Sequence, residues 1–131
     1  MYEFTMWHEF NVERTYAASG DVAEGNGGDS SVLYVWDITD TSEIKMCAKF
    51  SSDKVSLNEF AYITSKILSL YGKPYYICER NGIGSGYLDI LNITYNYDKI
   101  VSEAKNNAIG VFSHVSIKSK ACLWARDMMT T

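Results

Sequence analysis

Asp21 and Glu79 each close a short apolar run and open a glycine-rich one. Seven of the nine glycines fall in two groups: Gly20, Gly25, Gly27 and Gly28 around Asp21, and Gly82, Gly84 and Gly86 after Glu79. Carboxylates delivered at strand ends are the oxygen ligands that hard cations such as Mg²⁺ take, and Mg²⁺ keeps several waters that a substrate phosphate can replace. Two such ions about 4 Å apart activate a water and stabilise the leaving oxygen of a phosphodiester. Glu24 and Asp29 share the glycine-rich loop with Asp21 and are candidates to support the centre, directly or through water. The small residues would leave room for a bulky partner. This chemistry requires positions 21 and 79, 58 residues apart, to meet at one edge of a sheet. The plainer alternative is acids that cap helices or sit solvated in loops, with glycines that only make turns.

Other reactive residues carry less. The stretch Asn81-Gly82-Ile83-Gly84-Ser85-Gly86 is a candidate phosphate cradle at a helix N-terminus, but it has neither the GxGxxG nor the Walker spacing. Cys47, Cys78 and Cys122 are an odd, scattered set with no CxxC or Cys/His spacing, which argues against a disulfide framework and a zinc site and for buried thiols. His8 and His114 share no ligand spacing with another His or Cys and are expected at the surface or in packing.

The elements that must position the acids can be read from periodicity. Residues 1–14 show no clean period and are expected to be a lead-in that packs its aromatics on the domain. Residues 15–20 form a short strand running into Asp21; 31–39 (SVLYVWDIT) is apolar on both faces and reads as a central strand. After a tight Asp40-Thr41-Ser42 connection, residues 43–50 alternate, with Ile44, Met46, Ala48 and Phe50 on one face and Glu43, Lys45, Cys47 and Lys49 on the wet one. Ser56 with Glu59 makes a capping box for a helix whose apolar face is Leu57, Phe60, Ile63, Ile67 and Leu70, stopped by Gly72 and Pro74. Residues 75–78 form a strand delivering Glu79, 82–91 a second helix, 99–101 a further strand and 117–129 a last helix. Trp36, Tyr75 and Tyr76 are expected in the core. Three strands on short connections imply an antiparallel meander, and the strand–helix–strand units after it imply parallel crossovers. The expected fold is α/β, a mixed sheet with helices on both faces.

Two strings in this order resemble the nuclease motifs of tailed-bacteriophage large terminases. Gly20-Asp21-Val22-Ala23-Glu24-Gly25 with Asp29 is similar to the first, a D-x-x-E-G-x-x-x-D pattern ending the first strand; Ile77-Cys78-Glu79-Arg80-Asn81-Gly82-Ile83-Gly84 resembles the second, an acid followed by Asn and a Gly-x-Gly-like turn. Residues 109–125, with Gly110, Lys118 and Lys120, resemble the later segment that leads into a helix. The resemblance implies a ribonuclease-H-like domain in which Asp21 and Glu79 bind catalytic Mg²⁺ or Mn²⁺, with Glu24, Asp29 and Asn81 in support. Arg80, Lys118 and Lys120 become candidate contacts to double-stranded DNA, and a terminase ATPase domain and the portal become implied partners. The chain has no Walker A lysine, so the motor is not here. The family's third catalytic acid follows the last helix. Asp127, on an expected helix between Arg126 and Met128, is in the wrong context for it, so residues 1–131 are expected to be a single domain lacking its C-terminal segment.

Composition agrees with one globular domain: 131 residues, 47% hydrophobic and 21% charged. No apolar run reaches the ~20 residues of a membrane span, and no signal peptide opens the chain, so a soluble intracellular protein is expected; the terminase resemblance implies the host cytoplasm during virus assembly. The net charge of −4 is uneven: five basic and two acidic residues from Lys99 onward give +3, leaving −7 on the rest. An acidic cluster beside a basic segment suits a metal nuclease. The first functional expectation is therefore a divalent-metal-dependent endonuclease that cuts concatemeric viral DNA. The second is an inactive ribonuclease-H-like module that binds DNA or packaging partners, and the third a nucleotide-binding α/β protein.

Overall fold

The computed structural model describes residues 2–23, 29–80 and 83–101. In chain order these form β1 (Tyr2–Met6), β2 (Tyr16–Asp21), β3 (Ser31–Asp37), β4 (Lys45–Ser52), α1 (Leu57–Leu70), β5 (Tyr75–Cys78) and α2 (Gly84–Asp89), the last continuing into a π-helical turn over Ile90–Thr94. The five strands make one sheet in the order β1-β4-β3-β2-β5. β2, β3 and β4 are the expected antiparallel meander, with β3 central as its two-sided apolar sequence requires. β5 returns beside β2 in parallel, and residues 99–101 extend the sheet past it: Tyr76 and Ile100 form a parallel bridge, with Tyr76 N–H on the Lys99 carbonyl and Val101 N–H on that of Tyr76.

The lead-in is structured. Tyr2-Glu3-Phe4-Thr5-Met6 alternates apolar and polar residues, the period of a strand, and pairs antiparallel with β4 at the sheet edge. The chain then folds back. Phe10 packs at 5.6 Å from the Tyr16 ring and against Gly72, and Tyr71 Oη donates to the His8 carbonyl. The expected packing of aromatics is thus met by Phe10, while Trp7 stays half exposed.

β4 departs from its clean alternation. Val35 pairs with Ala48 but Trp36 with Met46, so a β-bulge leaves Cys47 as an extra residue. A bulge reverses which side chains face which layer. Ala48 and Phe50 join the core under the helices, as does Cys47 itself, while Ile44 and Met46 pack with Trp36 and Ile38 on the opposite face. The one-face assignment for Ile44, Met46, Ala48 and Phe50 is therefore corrected.

α1 begins as expected, with Ser56 accepting from Glu59 N–H and the Glu59 side chain reaching back. Its buried stripe is Phe60, Ala61, Thr64, Ile67 and Leu68, flanked by half-buried Leu57 and Ile63. Leu70 is 56% exposed, because at 3.6 residues per turn it sits about 120° round the helix from the stripe's centre. Gly72, at φ +73°, turns the chain out of the helix as a residue without Cβ can. Phe60 stacks between Phe50 of β4 and Tyr87 of α2, at 6.0 and 4.8 Å. Both described helices share this face of the sheet; the helix expected over 117–129 lies outside the described residues. Trp36 and Tyr76 are core, but Tyr75, first in β5, is 44% exposed with Lys99 Nζ 5.4 Å from its ring centre. No described helix is long and apolar enough to cross a membrane.

Candidate metal centre

β2 and β5 run parallel in a register that pairs Ala17 with Tyr75 and continues to Gly20 with Cys78. One step further along both strands stand Asp21 and Glu79, at neighbouring carboxyl ends roughly 4.8 Å apart across the sheet. Here the chain leaves β2 towards β3 and leaves β5 towards α2. The crevice at such a divergence, beyond the carboxyl ends of the strands, is where open α/β sheets take ligands. The strand ends that carry these two acids, distant in sequence, thus lie side by side.

Their charges are felt. Asp21 is exposed as a residue, yet crowding at the strand ends partly desolvates its carboxyl and raises its pKa; the neighbouring charge of Glu79 pushes the same way, as Asp29 does more weakly, against a hydrogen bond from Val22 N–H. Below them the Cys78 thiol, fully buried, is pushed up to about 12, first by burial and then by the charges of Asp21 and Glu79, against a lowering hydrogen bond with Tyr76. Like charges gathered in this way are relieved by a cation.

The remaining candidates divide. Asp29 lies exposed just before β3, across the hairpin from Asp21, whose Cα partner is Val32. The loop is pinned at its root by Ser31, whose Oγ accepts from Ala23 N–H at 2.9 Å. Arg80 is half-buried and its Nη1 lies 3.4 Å from Asp89 Oδ1 at the end of α2, so the guanidinium next to Glu79 is anchored on the helix. Glu24, Asn81, Lys118, Lys120, His114, Cys122 and Asp127 lie outside the described residues. His8 is exposed, and Cys47 and Cys78 are buried free thiols.

The donor set fits a hard cation held by two carboxylates with water completing its sphere. It does not fit a closed structural zinc site: among the described residues there is no cluster of three or more His, Cys, Asp or Glu side chains.

The glycines were expected to leave space for a bulky partner. At Gly20 and Gly84 that space is filled by protein. A Cβ on Gly20 would overlap the Tyr76 hydroxyl, and one on Gly84 the carbonyl oxygen of Glu79. Tyr76 and Tyr87, which belong to this arrangement, stand in the sequence only as a core strand residue and a helix residue. The available signal was polar: a strand tyrosine in a buried position needs a partner for its hydroxyl. At the other end of the sheet a cleft of about 370 Å³ is lined by Trp7, His8, Tyr16 and Lys45 around the Arg14–Asp37 ion pair. Arg14 and Asp37 there neutralise each other.

Neither a family sequence model nor a curated protein sequence matches the chain. Solved structures do. The large terminase nuclease of thermophilic phage G20c with bound magnesium superposes with a TM-score of 0.66 at 13% identity, over 97% of this chain and 60% of that one. The same nuclease with bound zinc gives 0.65 at 13%, over 97% and 66%. The large terminase nuclease domain of Thermus phage P74-26 gives 0.61 at 12%, over 95% and 58%. The likeness is one of fold, the ribonuclease-H-like α/β architecture, and the chain spans about three-fifths of the first of these structures.

Proposed function

We propose that this chain is the nuclease domain of a phage large terminase, a divalent-metal-dependent endonuclease acting on double-stranded DNA as concatemers are cut during packaging in the host cytoplasm. The observation that carries the proposal is the meeting of Asp21 and Glu79 at adjacent parallel strand ends, with the charge of Glu79 raising the Asp21 carboxyl. The fold shared with metal-bound terminase nucleases supports it.

In this reading Asp21 and Glu79 hold Mg²⁺ or Mn²⁺, with Glu24, Asp29 and Asn81 in support. When bound, the metal supplies an activated water and stabilises the leaving oxygen of the phosphodiester. The chain's own residues orient that site. The parallel register brings the two strand ends that carry these carboxylates to one edge of the sheet. Arg80, anchored on Asp89, Lys118 and Lys120 would meet phosphates, contacts that position DNA without reading its sequence. The terminase ATPase domain and the portal are the partners this role implies, with residues 1–131 acting as one domain.

The second reading is an inactive ribonuclease-H-like module that binds DNA or packaging partners. It is favoured by the absence of a third acidic ligand among the described residues. Plasmid nicking in Mn²⁺ separates the two. Metal-dependent cutting that Asp21→Ala abolishes is the expected result. A folded chain that binds DNA and leaves the plasmid intact selects the second reading.

A further inference from the structure

We infer that Gly20, Gly84 and a buried chain of hydroxyls, Tyr76–Tyr87–Thr64, form one positioning unit that sets the relation between Asp21 and Glu79. Tyr76 pairs with Ala18 and reaches along β2 to Gly20, where an added Cβ would overlap its hydroxyl and lie 2.8 Å from its Cζ. The ring cannot easily yield. It is fully buried, and its Oη shares a 2.7 Å hydrogen bond with Tyr87 Oη, which shares another of 2.8 Å with Thr64 Oγ1 of α1. Swinging Tyr76 aside would strand buried hydroxyls, the costly half of any hydrogen-bond exchange.

The other acid refers to the same helix. Gly84 opens α2 directly against the Glu79 carbonyl oxygen, and three residues later α2 carries Tyr87. One short helix therefore touches Glu79 through Gly84 and the backbone before Asp21 through Tyr87 and Tyr76, while Thr64 bolts it to α1. Phenylalanines would fill the volume of both tyrosines with no polar group to satisfy. A fully paired hydroxyl chain instead admits one arrangement and excludes others. These are positioning residues: none is placed to touch DNA or metal.

The claim rests on Asp21 and Glu79 as the working pair for its metal arm, while amide exchange in the metal-free chain tests the geometry alone. The variants are Gly20→Ala, Gly20→Ala with Tyr76→Phe, and Tyr87→Phe. Gly20→Ala is expected to weaken Mn²⁺ binding about tenfold, the size seen when a ligand's supporting partner is lost, and to speed exchange at the Asp21 amide by about as much. Adding Tyr76→Phe removes the overlapped oxygen but leaves the 2.8 Å ring contact and opens the hydroxyl chain, so both readouts recover in part and settle between Gly20→Ala and the parent. Tyr87→Phe, which keeps the volume but takes the partner from the buried Tyr76 and Thr64 hydroxyls, is expected to lower the melting temperature by a few degrees and to speed exchange at Asp21 and Glu79 more than in the rest of the sheet. A merely structural role would lower the melting temperature and leave Mn²⁺ affinity and these two amides alone. Parent-like exchange in Tyr87→Phe, or a double variant no better than Gly20→Ala, overturns the inference. If the parent chain binds no Mn²⁺, the nuclease reading fails and the exchange results still decide this one.

Discussion

Asp21 keeps a carboxylate where the surroundings disfavour one. Partial desolvation and the charge of Glu79 raise its pKa above the ordinary 3.8, so the folded chain holds the Asp21 proton more tightly than the unfolded chain does. Stability from this group is present below the ordinary value and is lost as pH rises through the raised one. At neutral pH the ionised Asp21 carboxyl is a net cost that a bound cation would relieve, and function and stability pull apart. Asp21→Asn should therefore melt higher than the parent at pH 7 without metal, by roughly 1–3 °C since solvent screens an exposed carboxyl. The gain should vanish below about pH 4, and added Mn²⁺ should stabilise the parent but not the variant. Thermal melts across pH check all three. Asp37 behaves oppositely. Burial pushes its carboxyl up, but hydrogen bonds from Arg14 (Nε to Oδ2, 2.6 Å) and Thr39 outweigh burial and hold it below the ordinary value. Buried Asp37 braces the fold while exposed Asp21 strains it.

Elements marked by local chemistry were legible, and those decided by pairing were not. The α1 capping box is a four-residue signal, and it appears as written at Ser56 and Glu59. Ser56→Ala should cost about 1 kcal/mol, read as a lower urea midpoint with unchanged slope. The strands at both acids were equally plain, because apolar runs ending in an acid and glycines leave few alternatives. By contrast, nothing in residues 43–50 announces that β4 carries one residue more than β3 at Cys47. The alternation continues through the bulge in sequence while the side chains change faces in space. Edge strand β1 was readable in Glu3 and Thr5 between apolar neighbours, but five residues of alternation are easily lost among the aromatics that follow. Leu70 was misplaced because the stripe is centred on Phe60, Thr64 and Ile67, and it includes a threonine that periodicity of apolar residues skips.

At the scale of the molecule, the meander followed by a parallel return puts two distant acids side by side. That topology was legible once the short connections and the crossover were recognised. Invisible from the sequence was how the site is held: Gly20 against Tyr76 and Gly84 against Glu79 are contacts between residues 56 and 5 positions apart, and only packing discloses them. The central claim is that Asp21 and Glu79 share a cation. Calorimetric titration of Mn²⁺ into the parent, Asp21→Ala, Glu79→Ala and the double variant tests it most directly. The account predicts at least a roughly tenfold loss for each single variant, with the double no worse than the weaker single, since both carboxylates serve one centre. Parent-like affinity in either single variant, or losses that add as for independent sites, would contradict it.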